Sequence, residues 1–175
     1  MNEAVVFSST GEVDPLQRGR AEICAFLYKE CRLADESQYD AWEALLDDEM
    51  LYWVPLGGSN PDPDSKLSII ADHRPRLRNR IAQLKTQRRL AQQPTSPMRR
   101  MLANIEISPI SHTETQVLCN FTLHEFRVQS TAEVQVWAGR YEYRLRRREE
   151  GLRMYYKRVD LINAGDALPS LAFLI

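Results

Sequence analysis

Apolar residues recur at helical spacing through the first part of the chain. Asp14, Pro15 and Gln17 form a helix start, because Asp can cap, Pro suits the first helical position and Gln completes a capping box. From this start to about Ala34, apolar positions repeat every three or four residues: Ile23, Cys24, Phe26, Leu27, Cys31 and Leu33. The pattern predicts a first helix over residues 14–34.

A second, shorter helix is predicted within SQYDAWEALLDD, residues 37–48, where the apolar face consists of Tyr39, Trp42, Leu45 and Leu46. The run MLYWVP, which Pro55 ends, predicts a strand. The segment GGSNPDPDS after it is rich in turn residues, so we expect irregular and disordered chain there. A third helix begins near Asp72, buries Leu77, Ile81 and Leu84, and ends at QQPTSP.

In the rest of the chain, apolar and polar residues alternate as they do in β-strands. We predict strands over residues 99–108, 116–128, 134–147 and 152–162, with REEG as the turn between the last two. The tail LPSLAFLI is a candidate for a short last strand. Helices followed by an antiparallel meander are typical of an α+β fold in which the helices cover one face of a curved sheet. We expect a flexible tail over residues 1–13 and a single domain over residues 14–175.

Composition agrees with one folded domain. The chain has 175 residues, 43% of them hydrophobic and 27% charged, which suffices for a core without covalent or metal cross-links. The first residues carry acids where a signal peptide has positive charge, and no apolar run is long enough to cross a bilayer. Three cysteines without CxxC spacing favour buried thiols. We therefore expect a cytoplasmic protein with no membrane segment and no disulfide framework.

Charge is strongly segregated along the chain. Residues 1–65 hold 4 basic and 14 acidic residues, residues 66–100 hold 10 and 1, and residues 101–175 hold 9 and 9. Two interpretations of the basic segment remain open. It is a surface for an acidic protein or a nucleic acid, or it is a solvated helix that the acidic first third of the same chain neutralises.

Motifs for common catalytic sites are missing from the sequence. A Rieske cluster needs two Cys and two His, and a non-haem iron site needs two His and a carboxylate. His73, His112 and His124 have no helical pairing with one another, and no Cys-x-His occurs. The sequence also has no GxGxxG, GxxxxGK[ST] or GxSxG element. These facts argue against an iron centre, a phosphate loop or a serine hydrolase in this chain.

Several single residues have both a functional and a structural interpretation. His124 is either an acid or base lining a cavity or a hydrogen-bonded strand residue, and Asp72 is either catalytic or a helix cap; we favour the structural alternative for both. Four tyrosines offer faces on which nucleic-acid bases could stack: Tyr141, Tyr143, Tyr155 and Tyr156. Half-buried strand tyrosines are commoner, however, and the RNP signature is missing.

Five segments, taken in order over residues 20–175, resemble the small (β) subunits of aromatic ring-hydroxylating dioxygenases. They are YKECRLADESQYDAWEALLDDEMLYWVP, DHRPRLRNRIAQLKT, QQPTSPMRRMLANIEI, LCNFTLHEFR and DLINAGDALPSLAFLI. The resemblance implies a cystatin-like (NTF2-like) α+β fold, a cone of helices wrapped by a curved, mostly antiparallel sheet. It also implies a mainly structural role, in which the β subunit joins a larger α subunit, commonly as an α3β3 hexamer.

The resemblance places all cofactors outside this chain. The α subunit carries the Rieske [2Fe–2S] cluster and the mononuclear Fe(II), and a reductase, sometimes with a ferredoxin, brings electrons from NADH. We expect the substrate to be a short aromatic acid of the benzoate, anthranilate or salicylate type. As subunit-interface residues we choose Arg74, Arg99 and Arg100, and we expect reversal of Arg99 and Arg100 to weaken assembly while leaving the fold intact.

A rival function comes from the same fold class. NTF2-like folds include stand-alone isomerases and dehydratases, in which an Asp or His inside the cone acts on a small molecule. No acid–base signature of those enzymes is found in this sequence. Nucleic-acid binding through residues 74–100 is a third alternative, which salt-dependent binding would reveal.

Overall fold

The structure is a computed structural model that describes residues 15–57, 68–86, 94–128, 130–169 and 171–175. Three helices and six strands make up this part of the chain: α1 (Pro15–Asp35), α2 (Tyr39–Glu43), β1 (Leu46–Pro55), β2 (Ser68–His73), α3 (Arg74–Lys85), β3 (Met98–Pro109), β4 (Glu114–Phe126), β5 (Val134–Arg148) and β6 (Gly151–Leu161). The predicted Asp14 cap, the tail over residues 1–13 and nearly all of the Gly- and Pro-rich loop lie outside the described residues.

All six strands form one sheet in the order β2-β1-β6-β5-β4-β3. Strands β3 to β6 are an antiparallel meander, and β1 pairs antiparallel with β2 but parallel with β6. The helices pack on one face of this sheet, where side chains from all three helices and from the strands share one hydrophobic core. The alternation predicted for β4 is confirmed, because its core-facing positions are buried: Val117, Cys119, Phe121 and Leu123.

The structure corrects three boundaries in the first half of the chain. Leu45 lies in a turn and Leu46 begins β1, so α2 is shorter and β1 longer than predicted. The strand β2 was not predicted, because residues 68–71 were assigned to no element and Asp72 and His73 to the start of α3. It pairs with β1 along its length, and α3 begins at Arg74 rather than near Asp72.

The tail predicted as a last strand is not one in the described residues 171–175, although it is buried. Side chains bind its backbone in place of a neighbouring strand. The hydroxyl of Tyr52 donates to the carbonyl of Ile175 over 2.6 Å and accepts from the Ile175 N–H over 2.9 Å. The Arg100 guanidinium donates to the carbonyl of Leu174.

Close packing at Gly139 shows how tightly the core is filled. Gly139 lies opposite Phe121 in the β4–β5 pair, and the Phe121 ring stacks on Tyr141 with centroids 3.8 Å apart. A Cβ atom at position 139 would lie 2.0 Å from the carbonyl oxygen of Asp160. Only glycine therefore fits there without displacing the backbone of β6.

Candidate functional site

The interior of the cone contains a carboxylate on the face of α1 whose other buried positions are mostly apolar. Glu30 lies on the buried face of α1 and is inaccessible to solvent. Its Oε1 accepts hydrogen bonds from Lys157 Nζ at 2.9 Å and from Trp42 Nε1 at 2.8 Å. Its Oε2 accepts one from the Tyr143 hydroxyl at 3.2 Å, with the thiol of Cys31 at 3.6 Å. Glu30 is thus held by groups from α1, α2, β5 and β6.

Lys157 is surrounded by aromatic rings as well as by its carboxylate partner. The side chain is fully buried, and Nζ lies 4.5 Å from the ring centroid of Tyr141, 5.4 Å from that of Tyr143 and 6.0 Å from that of Tyr52. Ring faces attract cations, and the attraction is stronger where water is excluded. The rings therefore assist Glu30 in stabilising the ammonium group.

Electrostatics keep the carboxylate of this pair charged and the neighbouring hydroxyls and thiols neutral. Burial by itself disfavours a charged Glu30, but Lys157 and Arg100 outweigh it and hold the pKa of Glu30 below its ordinary value. Burial raises the pKa values of Cys31, Tyr141 and Tyr143 above their ordinary ranges. None of these groups is prepared to act as a nucleophile or base near neutral pH.

Large side chains occupy the interior in the described part of the chain: Trp42, Tyr52, Tyr141, Tyr143, Lys157 and Phe173 are all fully buried. Two clefts of about 600 Å³ occur in the described part of the chain, and both lie outside the cone. One runs between α1 and the edge strand β3, and the other is lined by polar residues around α2, β1 and the turn between β5 and β6.

The histidines lie away from this interior. His73 is the exposed N-cap residue of α3, His112 lies in the exposed turn between β3 and β4, and His124 is on the sheet face opposite the core. The cap assigned to Asp72 was wrong, because its buried carboxylate accepts from Arg80 Nε at 2.6 Å and pairs with Arg76 at 3.4 Å. Across the described ranges, no three His, Cys, Asp or Glu side chains form a group that could hold a metal ion.

The tyrosines considered as stacking faces are occupied by other groups of the chain. Tyr141 and Tyr143 are buried in the core. The guanidinium of Arg146 lies 4.5 Å from the ring centroid of Tyr155, and that of Arg144 lies 4.6 Å from that of Tyr156. These contacts give no support to base stacking.

Acidic residues of the same chain pair with the basic side chains of α3. All five of its basic side chains form ion pairs: Arg74 and Arg78 with Glu43, Arg76 and Arg80 with Asp72, and Lys85 with Asp40. The structure thus favours the solvated-helix interpretation for α3.

The three arginines chosen for a subunit interface lie in different surroundings. Arg74 is mostly buried and bonds to Glu43 at 2.7 Å. The Arg100 side chain is fully buried in an ion pair with Asp35, whereas Arg99 is exposed on the opposite sheet face. Because reversal of Arg100 would leave two buried carboxylates facing each other, we now expect it to disrupt the fold, and Arg99 must be tested separately.

Sequence reasoning missed Glu30 and Lys157, although the patterns contain both. Glu30 follows Phe26 and Leu27 at the spacing of the buried α1 face, and Lys157 shares the alternation of Val159 and Leu161 in β6. A charged residue in each of two apolar stripes indicates a buried ion pair.

Comparison with known proteins decides the family. The model of the family described as "Ring hydroxylating beta subunit" matches residues 29–165. The chain belongs to this family. As a β subunit of an aromatic ring-hydroxylating dioxygenase, it is part of an oxidoreductase complex.

Curated relatives of the β subunit are small components of dioxygenases. The chain is 31% identical over 141 residues to the small oxygenase component of the p-cumate 2,3-dioxygenase system of Pseudomonas putida. The aligned residues cover 79% of this chain and 77% of the relative. It is 28% identical over 153 residues to the 2-halobenzoate 1,2-dioxygenase small subunit of Burkholderia cepacia, covering 85% and 91%.

Solved structures confirm the predicted fold class. The β subunit of the benzoate 1,2-dioxygenase from Burkholderia mallei superposes with a TM-score of 0.71 at 26% identity, covering 93% of this chain and 99% of that one. An NTF2-like protein with a cystatin-like fold from Novosphingobium aromaticivorans gives a TM-score of 0.57 at 14% identity, covering 87% and 86%, which shows the fold alone. Among the helices that the structure describes, none is both long and apolar enough to cross a membrane.

Proposed function

We propose that this β subunit is a non-catalytic, cytoplasmic component that stabilises a large α subunit in an α3β3 hexamer. The α subunit carries the Rieske [2Fe–2S] cluster and the mononuclear Fe(II), and a reductase, with or without a ferredoxin, supplies electrons from NADH. The family match and the names of the relatives, which are small components of dioxygenase systems, support this division of labour.

The filled interior of the cone is the observation that carries the non-catalytic role. A stand-alone enzyme of this fold needs a cavity with an acid or base directed into it. Here Glu30 and Lys157 bind each other, and aromatic side chains occupy the space around them. The histidines lie outside the interior, so among the described residues no histidine is directed into it.

An aromatic carboxylate is the substrate class that we propose for the complex. The relatives named above act, by their names, on p-cumate, 2-halobenzoate and benzoate, which are all aromatic acids. By the family resemblance, the pocket that recognises this acid belongs to the α subunit.

Co-expression with the cognate large chain, which we expect to contain CxH and CxxH, tests the proposal. Native mass spectrometry should then show a hetero-oligomer with equal numbers of both chains. The β subunit expressed alone should be colourless and free of iron and acid-labile sulfide. An intact α assembly beside an unbound β subunit, or stoichiometric iron in the isolated β subunit, contradicts the proposal.

A further inference from the structure

The sheet face that points away from the core carries exposed apolar side chains near one end. Together with Arg99 and His124 they form what we call the Arg99 face: Arg99, Met101, His124, Phe126, Val134 and Val136. In a strand, alternate residues point to the same side, which places these residues on the face opposite the buried Leu123 and Trp137.

Strand register brings these side chains together. Arg99 of β3 lies opposite His124 of β4, which lies opposite Val136 of β5. One row further along, Phe126 lies opposite Val134. Side chains directly opposite on one face are about 5 Å apart at Cβ, so the residues form a continuous surface.

The apolar members of this face are exposed to solvent. Met101 is 58% exposed, Val134 57%, Val136 49% and Phe126 39%. Isolated exposed apolar residues are ordinary, but a contiguous group on a folded surface marks a place where another molecule binds.

Arg99 differs from the other basic residues of its segment. The side chains of α3 and of Arg100 all pair with carboxylates of this chain. Within the described ranges Arg99 has no carboxylate partner, and its Nη1 donates to the neighbouring carbonyl of Met98 at 2.6 Å. An exposed arginine among apolar side chains has the composition of an interface centre that receives a carboxylate.

We propose that the Arg99 face is the surface on which the large oxygenase subunit docks, with an apolar patch that covers Val136 and a carboxylate that pairs with Arg99. This inference rests on the proposed function. The cleft between α1 and β3 continues the surface around the sheet edge, because Arg99 and Met101 also line it.

Charge disfavours a twofold pairing of the Arg99 face with itself. A twofold pairing of the face with itself would place Arg99 and His124 near their own copies, since such an interface uses the same patch twice. No carboxylate belongs to the residues that form the face. A different surface, one that carries acidic groups, complements it better.

Two variants and a matched control test the assignment in the co-expressed complex. Val136→Asp and Arg99→Glu should each raise the dissociation constant for the large subunit at least about 30-fold, as loss of an interface centre does. Ile110→Asp is the control. The exposed fraction of Ile110 is 48%, nearly that of Val136, but Ile110 lies at the far end of the β3–β4 hairpin. Its dissociation constant should change less than about threefold, the scale of an ordinary surface substitution. Dilution of the complexes, followed by mass photometry, measures all three.

Each outcome has one meaning. If wild type and Ile110→Asp assemble and both face variants bind equally well, the docking surface is wrong and the proposed function stands. If the wild-type chain does not bind the large subunit, the proposed function is wrong, and the docking surface is wrong with it. Loss of self-association with unchanged binding of the large subunit would assign the face to a second copy and overturn the inference. Near-ultraviolet circular dichroism of each variant checks folding. If Val136→Asp misfolds, Arg99→Glu decides the test, because it leaves every apolar residue of the face unchanged.

Discussion

Lys157 Nζ lies 2.9 Å from Glu30 Oε1, and neither side chain is accessible to solvent. The two residues are 127 positions apart, so their contact joins the first helix to the last strand. The net contribution of such a buried pair to the free energy of unfolding is small. Removal of one partner costs much more, because the remaining charge has no water to solvate it. The pair therefore makes the packing of α1 on the sheet specific.

Removal of one partner should be much worse than removal of both. We expect Lys157→Met to lower the free energy of unfolding by about 3–5 kcal/mol, since Glu30 is left buried and uncompensated. The double variant Lys157→Met with Glu30→Gln should lose clearly less, because the neutral amide can still accept a hydrogen bond from Trp42 and donate one to the Tyr143 oxygen. Urea unfolding at neutral pH, followed by fluorescence, measures both. A double variant less stable than Lys157→Met would show that the charges themselves stabilise the fold.

Stability should fall at both ends of the pH scale, for opposite reasons. Because the folded pKa values of Glu30 and Asp47 are lowered, their contribution is complete above the ordinary carboxyl pKa of about 4 and is lost as pH falls through the lowered values.

Burial raises the pKa of Tyr52, Tyr141 and Tyr143, so their contribution is complete below the ordinary tyrosine pKa of about 10 and is lost as pH rises beyond it. The urea midpoint should therefore be level between about pH 5 and 9 and should decrease on either side. A midpoint that declines steadily from pH 9 to 5 would mean that other groups dominate.

Two buried tyrosines should respond differently to loss of the hydroxyl. The Tyr143 hydroxyl donates to Glu30 at 3.2 Å, whereas among the described residues the Tyr141 hydroxyl has no hydrogen-bond partner. Tyr143→Phe should cost about 1.5–3 kcal/mol, the range for a hydrogen bond to a charged group, while Tyr141→Phe should be neutral or stabilising. Thermal unfolding of the two variants, side by side, measures the difference. Equal losses would contradict these hydrogen-bond assignments.

Turnover should follow assembly in variants of the remaining acid–base candidates. Substitution of His73, His112 or His124 by Ala, or of Asp72 by Asn, should reduce holoenzyme turnover only as far as it reduces the amount of assembled α subunit. Removal of a general acid or base lowers rates by about 10²–10⁴-fold. Turnover per assembled α subunit is the quantity to measure. A hundredfold fall in it, with the complex intact, would place a catalytic group in this chain.

The sequence predicted the fold class and most elements because strong periodicity marks them. The α1 stripe and the alternation of β4 gave correct types and nearly correct ends. The strand β2 was missed because six residues, SIIADH, beside a turn-rich loop have little pattern of their own and depend on pairing with β1.

The candidate site was predicted less well, because it depends on contacts between distant elements. Arg99 and Arg100 are neighbours, so alternation alone places them on opposite faces, yet only the register with β4 shows that Arg100 is the inner one. Glu30 and Lys157 each interrupt an apolar stripe, but only the folded chain shows that α1 and β6 bring the two side chains into contact.

The parallel pairing of β1 with β6 sets the order in which a newly made chain can fold. β1 is synthesised early, but its central neighbour in the sheet is β6, which follows β3, β4 and β5 in the chain. Until β6 is made, the apolar side of α1 and β1 stays without its partner and is exposed to proteases and to aggregation. Completion of the fold, and with it the release of an assembly-competent subunit, must therefore wait until β6 has been synthesised.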